Sequence, residues 1–527
     1  MLLLGCPVPY VPVIDTGDPP VVCEGDDETG ATILVQPYVQ HVLDGSAWIL
    51  WETDVGVGSR VEWVQAGRQH VACGERVPMA EGLDPDDADT QVHAVQLTLL
   101  SPGVPVAYRA LTGDAVSDEH TFQPPADEGP VRFAAFSDSQ RDDGHPEVFA
   151  EVVQGVVDVA TADGPELYEA LDFVLVPGDL VDNGWLPEEW QEQYFAPAAD
   201  LFGAVPSYPV PGNHEGGSPW FFRYFHLPAS DLGEHAWRFD QANVRVIGLD
   251  SNGWNEDGQL AWLETELDEA CRRRDLDFVF LQIHHPWLSE LWTPGESAFT
   301  GEVVAQLEAF TTACEKPSTL LFGHTHGYSR GESRDHQHLM VNVAAAGGAL
   351  DRWGTQDSAD YPEFGVSQDT YGFVLVEVAQ DPASVTLSRY SLGTPEARLH
   401  NELSDEVTIW LENTPPDRPG APEMSCAPGP TVTASAFSDA DGHAHHGTHW
   451  QAATSCAWDG DLLVDTWRQE RNEFFGADTQ ADDDLTDEPI DLAAGTGICW
   501  RVRYRDEGLA WSDWSSGHEE TVPACTE

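Results

Sequence analysis

Positive charge is scarce in this sequence. It carries 24 Lys and Arg against 91 Asp and Glu, a formal net charge of −67, and Lys316 is its single lysine. A surface of that sign repels phosphate backbones and anionic lipid, which argues against nucleic-acid scaffold binding and against an inner-leaflet membrane surface. It suits a salty or extracellular medium. No run reaches the roughly 18 apolar residues of a spanning helix, so no transmembrane helix is expected. No CxxC pair occurs and no cysteine sits beside a spaced histidine pair, which speaks against a zinc–thiolate site. Neither a GxSxG elbow nor a Cys–His pair stands out, so a protein nucleophile is not indicated. What is present is enough to fold: hydrophobic residues make up 41% and there are 19 tryptophans, outside the composition of disorder. At about 100–200 residues per domain, the 527 residues predict three units.

Nine cysteines remain to be placed. The opening MLLLGC resembles the end of a bacterial lipoprotein signal, which makes Cys6 a candidate lipid anchor. A basic leader is missing and the apolar stretch falls short of the usual ~7–15 residues, so the true start lies upstream or the match is accidental. The other cysteines group by segment: Cys23 with Cys73, Cys271 with Cys314, and Cys426, Cys456, Cys499 and Cys525 together. An even set so grouped predicts disulfides and an extracytoplasmic location, whether secreted, periplasmic or lipid-anchored at the cell surface.

Composition divides the chain. Residues 1–30 read as a signal remnant and an acidic tether without an apolar period. Over 31–124, short β-rich runs such as SAWILWET and VPVAYRAL, separated by Gly, Asp and Pro, predict an antiparallel sandwich. Through PYVQ (37–40), WET (51–53) and the Pro102-Gly103 turn, this stretch resembles the fibronectin-type-III-like domain that precedes the catalytic domain of purple acid phosphatases. Residues 130–413 alternate apolar strands (132–137, 172–176, 207–210, 244–249, 277–283, 319–322) with amphipathic helices at 146–160 and 259–274, which predicts a layered α/β core. A Pro-rich linker (414–425) leads to a second all-β sandwich (426–527). Its ending sets Arg501, Arg503 and Arg505 on one strand face, with Trp511 and Trp514 following. That pattern resembles the Arg–Trp ladder of fibronectin type III receptor domains; a glycan- or protein-binding tryptophan patch is the alternative.

Five strands of the α/β segment run directly into polar clusters: Asp138-Ser139-Gln140, Gly178-Asp179, Gly212-Asn213-His214-Glu215, His284-His285 and Gly323-His324-Thr325-His326. Ligands in open α/β sheets collect beyond the carboxyl ends of strands, so the five clusters should share one crevice. Carboxylates and imidazoles suit Mn, Fe or Zn.

This order of motifs resembles the calcineurin-like metallophosphoesterase superfamily, with GNHE and GHTH as its most specific elements. The segments AWRFDQANVRVIGLDS and GQLAWLETEL look like the purple-acid-phosphatase-like branch. The resemblance implies a layered β-sandwich core flanked by helices. It also implies two divalent ions, the first held by Asp138, Asp179 and His326 and the second by Asp179, Asn213, His284 and His324, with Asp179 bridging. The implied activity is hydrolysis of phosphate esters by a dinuclear metal-bound hydroxide, with His214 acting on the leaving oxygen and Glu215 orienting it. His285 is then second to the ligand His284. Two positions depart from the pattern: Gln140 stands where a histidine is usual and offers an amide oxygen, and Asp182 replaces the tyrosine of purple enzymes, so no metal–tyrosinate chromophore is expected.

Asp439, Asp441, His443, His445, His446 and His449 crowd one further stretch (438–450), which could suggest calcium or zinc; its spacing fits neither an EF-hand nor a two-turn His pair, so it reads as a polar loop of the second sandwich. An extracellular binding or adhesion protein with a non-catalytic phosphoesterase scaffold is the alternative to the enzyme.

Overall fold

The computed structural model describes residues 21–43, 45–77, 90–126, 129–426, 429–481 and 483–525. The candidate lipid anchor Cys6 lies outside the described residues. The tether expected through residue 30 is shorter than that. Cys23 is buried and disulfide-bonded to Cys73, and the Glu28 carboxylate accepts the Val57 N–H at 2.8 Å, which fastens 21–30 to the first sandwich.

That sandwich has one sheet built on Ile33–Leu43, Ser46–Thr53 and Gln91–Leu97 and another built on Arg60–Gln65, Arg68–Cys73 and Val106–Thr112. Alternation in Val106–Thr112 turns Val106, Tyr108 and Ala110 into a core with Trp51 and Trp63. The outer edge of Ile33–Leu43 docks on the middle of the chain: Tyr38 donates to the Tyr224 carbonyl at 2.7 Å and Gln40 to the Ser207 carbonyl at 3.0 Å.

The central unit is two sheets face to face. In the first, Val131–Ala135, Phe173–Val176 and Ser207–Pro209 pair in parallel, and Tyr371–Gln380, Ala383–Thr394 and Ala397–Trp410 extend it antiparallel. In the second, Val244–Leu249, Phe278–Gln282, Ser318–Phe322 and His338–Asn342 run in parallel. The inner faces meet through aromatic edges, among them Phe133 on Phe280 (5.1 Å) and Phe173 on Phe239 (5.2 Å). Parallel strands covered on both sides are mainly apolar, as in FVLV (173–176) and FVFLQ (278–282), although Val244–Leu249 carries the buried Arg245. Helix Val148–Ala160 covers the first sheet. Helices Glu256–Arg272 and Ala298–Cys314 cover the second, and the Cys271–Cys314 disulfide ties their C-terminal ends. Pro146, expected at the first helical position, sits just before the helix, whose first residue is Val148.

The C-terminal sandwich is joined by Cys426–Cys525 and Cys456–Cys499, which resolves the pairing the sequence left open. The arginine ladder forms: Arg501 stacks between Trp458 (4.1 Å) and Trp514 (4.3 Å), and Arg503 between Trp511 (4.4 Å) and Trp514 (4.7 Å). Its Arg503–Arg505 end does not face a free surface. Arg505 is buried against the central unit, donating to the Ser333 and His336 carbonyls at 2.9 Å. Residues 445–450, read as part of a polar loop, belong instead to the strand His445–Ala453, packed between Leu462–Gln469 and Gly497–Asp506.

Candidate metal centre

Parallel pairing brings the carboxyl ends of Val131–Ala135, Phe173–Val176 and Ser207–Pro209 to one end of the sandwich, and Phe278–Gln282 and Ser318–Phe322 end there from the second sheet. All five polar clusters follow these ends. The turns are tight: Asp138, Asp179 and His324 adopt φ of +57°, +51° and +73°, a region that side chains enter at a cost of about 1–3 kcal/mol. A Cβ at Gly212 would fall on Asp179, and one at Gly323 on Ser137 and Asp138, so glycine is required at both close approaches.

Single ligand atoms of Asp138, Asp179 and His326 lie within 4.8 Å of one another, as do those of His284, His285 and His324. Each of the two inner histidines is oriented by a carbonyl, which can only accept. His284 Nδ1 donates to Pro177 at 2.8 Å and His326 Nδ1 to Ala349 at 2.7 Å. The other nitrogen of each ring is thereby turned onto acceptors: His284 Nε2 faces Asn213 Oδ1 at 3.0 Å and Asp179 Oδ2 at 3.2 Å, and His326 Nε2 faces Asp138 Oδ1 at 3.3 Å. His284 Nε2 also meets His324 Nδ1 at 3.2 Å. At His284 a neutral ring so placed opposes lone pair to lone pair, which a cation or a ring proton between the groups relieves. The same carboxylates set the protonation of the rings. Burial works against protonating His284, but Asp179 overrides it and raises the ring to about 9; His326 is raised to about 9 despite burial by Asp138. Asp179, although buried, is held well below the usual carboxylate range by His284 and His214. His324 is kept neutral by burial and by His284, its ring lowered to about 2. Gln140 completes the pattern: its amide nitrogen lies 3.1 Å from His326 Nε2, while its Oε1 is buried without a hydrogen-bond partner. Donor set and orphaned oxygen both fit divalent cations of the transition series.

His285, expected outside the ligand set, falls within the histidine group, but Ser251 Oγ engages its Nδ1 at 2.7 Å and burial lowers it to about 3. The role expected for Glu215 is corrected. Its carboxylate is fully buried, does not touch the His214 ring, and accepts the backbone N–H groups of Asp179 (3.0 Å), Leu180 (2.9 Å) and Gly212 (2.7 Å). It therefore clamps two of the ligand-bearing turns together, and burial raises it to about 7. His214 is oriented by Asp182 instead, donating Nδ1–H to its carbonyl at 2.7 Å, which leaves Nε2 in the cleft 3.8 Å from Asp179 Oδ2. Two supporting residues escaped the sequence reading. Asp351 accepts the His326 N–H at 2.8 Å, and Ser251 positions His285. Ser251 lies two residues beyond another parallel strand, Val244–Leu249, in the polar run Asp250-Ser251-Asn252, and that placement was its available signal.

Fold and site together define a metallophosphoesterase architecture. Residues 131–328 match the calcineurin-like phosphoesterase family and form a domain of that type. The glycerophosphodiester phosphodiesterase GpdQ of Enterobacter lignolyticus (strain SCF1) is 32% identical over 133 residues, 23% of this chain, and the match spans 44% of that relative's length. Among solved structures, purple acid phosphatase PPD1 from yellow lupin (Lupinus luteus) seeds superposes with a TM-score of 0.55 at 15% identity, covering 71% of this chain and 74% of its own. PhoD does so with 0.53 at 11% identity, covering 72% and 90%. At these identities the likeness is one of fold.

Proposed function

We propose that the protein is an exported phosphoesterase with a two-cation centre, Asp138, Gln140, Asp179 and His326 holding one ion and Asp179, Asn213, His284 and His324 the other. The observation that carries the reading is the cluster of buried imidazole nitrogens turned by backbone carbonyls onto carboxylate and amide oxygens at 3.0–3.3 Å, arranged for cations rather than for one another. When bound, two divalent ions supply Lewis acidity towards phosphoryl oxygens and an activated water at neutral pH. The chain supplies the rest. Glu215 holds the Asp179 and Asn213 turns in register, and the Asp182 carbonyl holds the Nδ1–H of His214, so that in the doubly protonated ring the Nε2–H is the proton that can be given to the departing ester oxygen. The cluster needs no protein nucleophile. The four disulfides support an oxidising compartment outside the cytoplasm.

An aryl phosphate and a bis(aryl) phosphate test the reading and separate monoesterase from diesterase, the activities named for the yellow-lupin and Enterobacter proteins differing in this respect. Turnover of either ester should disappear with chelator and return with Mn²⁺, Fe²⁺ or Zn²⁺. No turnover with any metal on either ester would favour the alternative, a binding protein with the domain as its scaffold.

A further inference from the structure

We propose a separate metal site, for one divalent cation of the zinc or manganese class, where the linker enters the C-terminal sandwich, held by Asp439, His443 and Asp506 with Asn413 beside them. The residues come from three places: Asn413 follows the last strand of the central unit, Asp439 and His443 belong to the segment leading into His445–Ala453, and Asp506 ends Gly497–Asp506. One ligand atom from each of Asp439, His443 and Asp506 lies within 4.8 Å of the others.

What points to a cation is the set of atoms left over. Asp506 is fully buried, and its Oδ1 accepts from Asn413 Nδ2 and from the Ala510 N–H, both at 2.9 Å. Asp439 Oδ1 accepts the N–H groups of Asp441 (2.8 Å) and His443 (3.1 Å). In both aspartates one oxygen is anchored and the other is not: Asp439 Oδ2, Asp506 Oδ2, His443 Nδ1 and Asn413 Oδ1 are all buried without a hydrogen-bond partner. Leaving a single buried polar atom unpaired costs about 1–3 kcal/mol, so four at one place call for a shared partner. The His443 ring is stacked on Trp410 at 4.3 Å and 21°, which fixes its plane. Anchored ligands with one free donor atom each are how proteins orient a metal's first ligands. An imidazole nitrogen with carboxylate oxygens favours Zn²⁺ or Mn²⁺ over Ca²⁺ or Mg²⁺. A cation here fastens the C-terminal sandwich to the end of the central unit and lies apart from the cluster assigned to phosphoesterase activity.

Two measurements on the full chain decide it. Crystals soaked in zinc should show an anomalous peak at the zinc edge between Asp439, His443 and Asp506, and no peak there overturns the site. By equilibrium dialysis, His443→Gln and Asp439→Asn should each bind about one zinc ion per chain fewer than the wild type. Each should also lose part of the zinc-induced rise in thermal midpoint while keeping whatever aryl phosphate turnover the wild type has. Equal zinc content in wild type and both variants refutes the proposal. A chain without any phosphatase turnover still tests it, because the readouts are metal content and position.

Discussion

Asp179 is the residue on which both candidate cation positions depend: Oδ2 faces His284 Nε2 at 3.2 Å, Oδ1 accepts the His214 N–H at 2.9 Å, and its ligand atom belongs to the same group as Asp138 and His326. Asp179→Asn keeps the shape and removes the charge. Hydrolysis should fall more than about 100-fold, with bound metal falling alongside it. Near wild-type turnover would remove Asp179 from the bridging position. Gln140 makes a finer case. Its Oε1 has no partner and its amide lies on His326, so as a neutral ligand it should hold the first ion less tightly than the second is held. Gln140→His should lower the metal concentration for half-maximal rate; identical metal titrations of the two proteins would show that the side chain does not coordinate. These ligand positions were readable because each follows a strand end in sequence. The support was not. Glu215 sits beside His214 in the chain and was expected to orient it, yet adjacent residues on a tight turn point apart, and the ring is held by the Asp182 carbonyl from another turn. No local pattern encodes a carbonyl from elsewhere in the chain.

At the scale of elements, the strand-end turns are held by one buried carboxylate more than by their own sequences. Glu215 satisfies N–H groups on both the Gly178-Asp179 and Gly212-Asn213 turns. Glu215→Ala would leave those donors buried and unpaired, at about 1–3 kcal/mol each, so the urea midpoint should drop substantially together with metal affinity. Glu215→Gln keeps one acceptor oxygen and should recover part of both. A stability loss in Glu215→Ala with unchanged metal binding would separate the clamp from the site. Six of the parallel strands were legible as short, mainly apolar runs and are found within one or two residues of their predicted ends; the seventh, His338–Asn342, opens on histidine and closes on asparagine and was not picked out. The antiparallel meander Tyr371–Gln380, Ala383–Thr394 and Ala397–Trp410 was not picked out. Its last strand is mostly exposed and polar over residues 397–406, and its register is set by pairing rather than by burial. Helix Ala298–Cys314 was missed for another reason. Thr300, Gly301, Val303, Val304, Thr311 and Thr312 dilute the propensity of its Ala, Leu, Glu and Gln residues, and its form is completed by burying Phe299, Val303, Leu307 and Phe310 on the second sheet.

On the scale of the whole molecule, a net charge of −67 makes every acidic neighbour a small cost to compactness. At about 0.1 M salt the screening length is still ~10 Å, so raising NaCl should raise the thermal midpoint, and a midpoint that falls steadily with salt would contradict that. Against this background the C-terminal sandwich is docked by buried charge. His446 is buried with both nitrogens on carboxylates, Nε2 on Glu332 at 2.8 Å and Nδ1 on Glu470 at 3.0 Å. Arg330 and Arg505 close Glu332 from its other sides. Sequence could not pair His446 with Glu332, because they come from different domains. Burial opposes a charge on His446, but Glu332 overrides it and raises the ring from 6.5 to about 9. A raised pKa stabilises most fully below the unfolded value, so this contribution is complete below pH 6.5 and is lost as pH rises through about 9. Glu332 is the opposite case: buried yet held down to about 2 by His446 and the arginines, it stabilises above pH 4.5 and fails in stronger acid. The docking should therefore be firmest between pH 4.5 and 6.5 and weaken steadily to pH 9. His446→Gln should cost about 3–5 kcal/mol at pH 6, as expected for removing one partner of a buried pair, and should flatten the alkaline slope of the thermal midpoint. Protease cleavage in the 414–422 linker offers a second reading of the same event, rising with pH in the wild type and already high and nearly constant in the variant. Parallel slopes in the two proteins would mean that the interface opens through some other group.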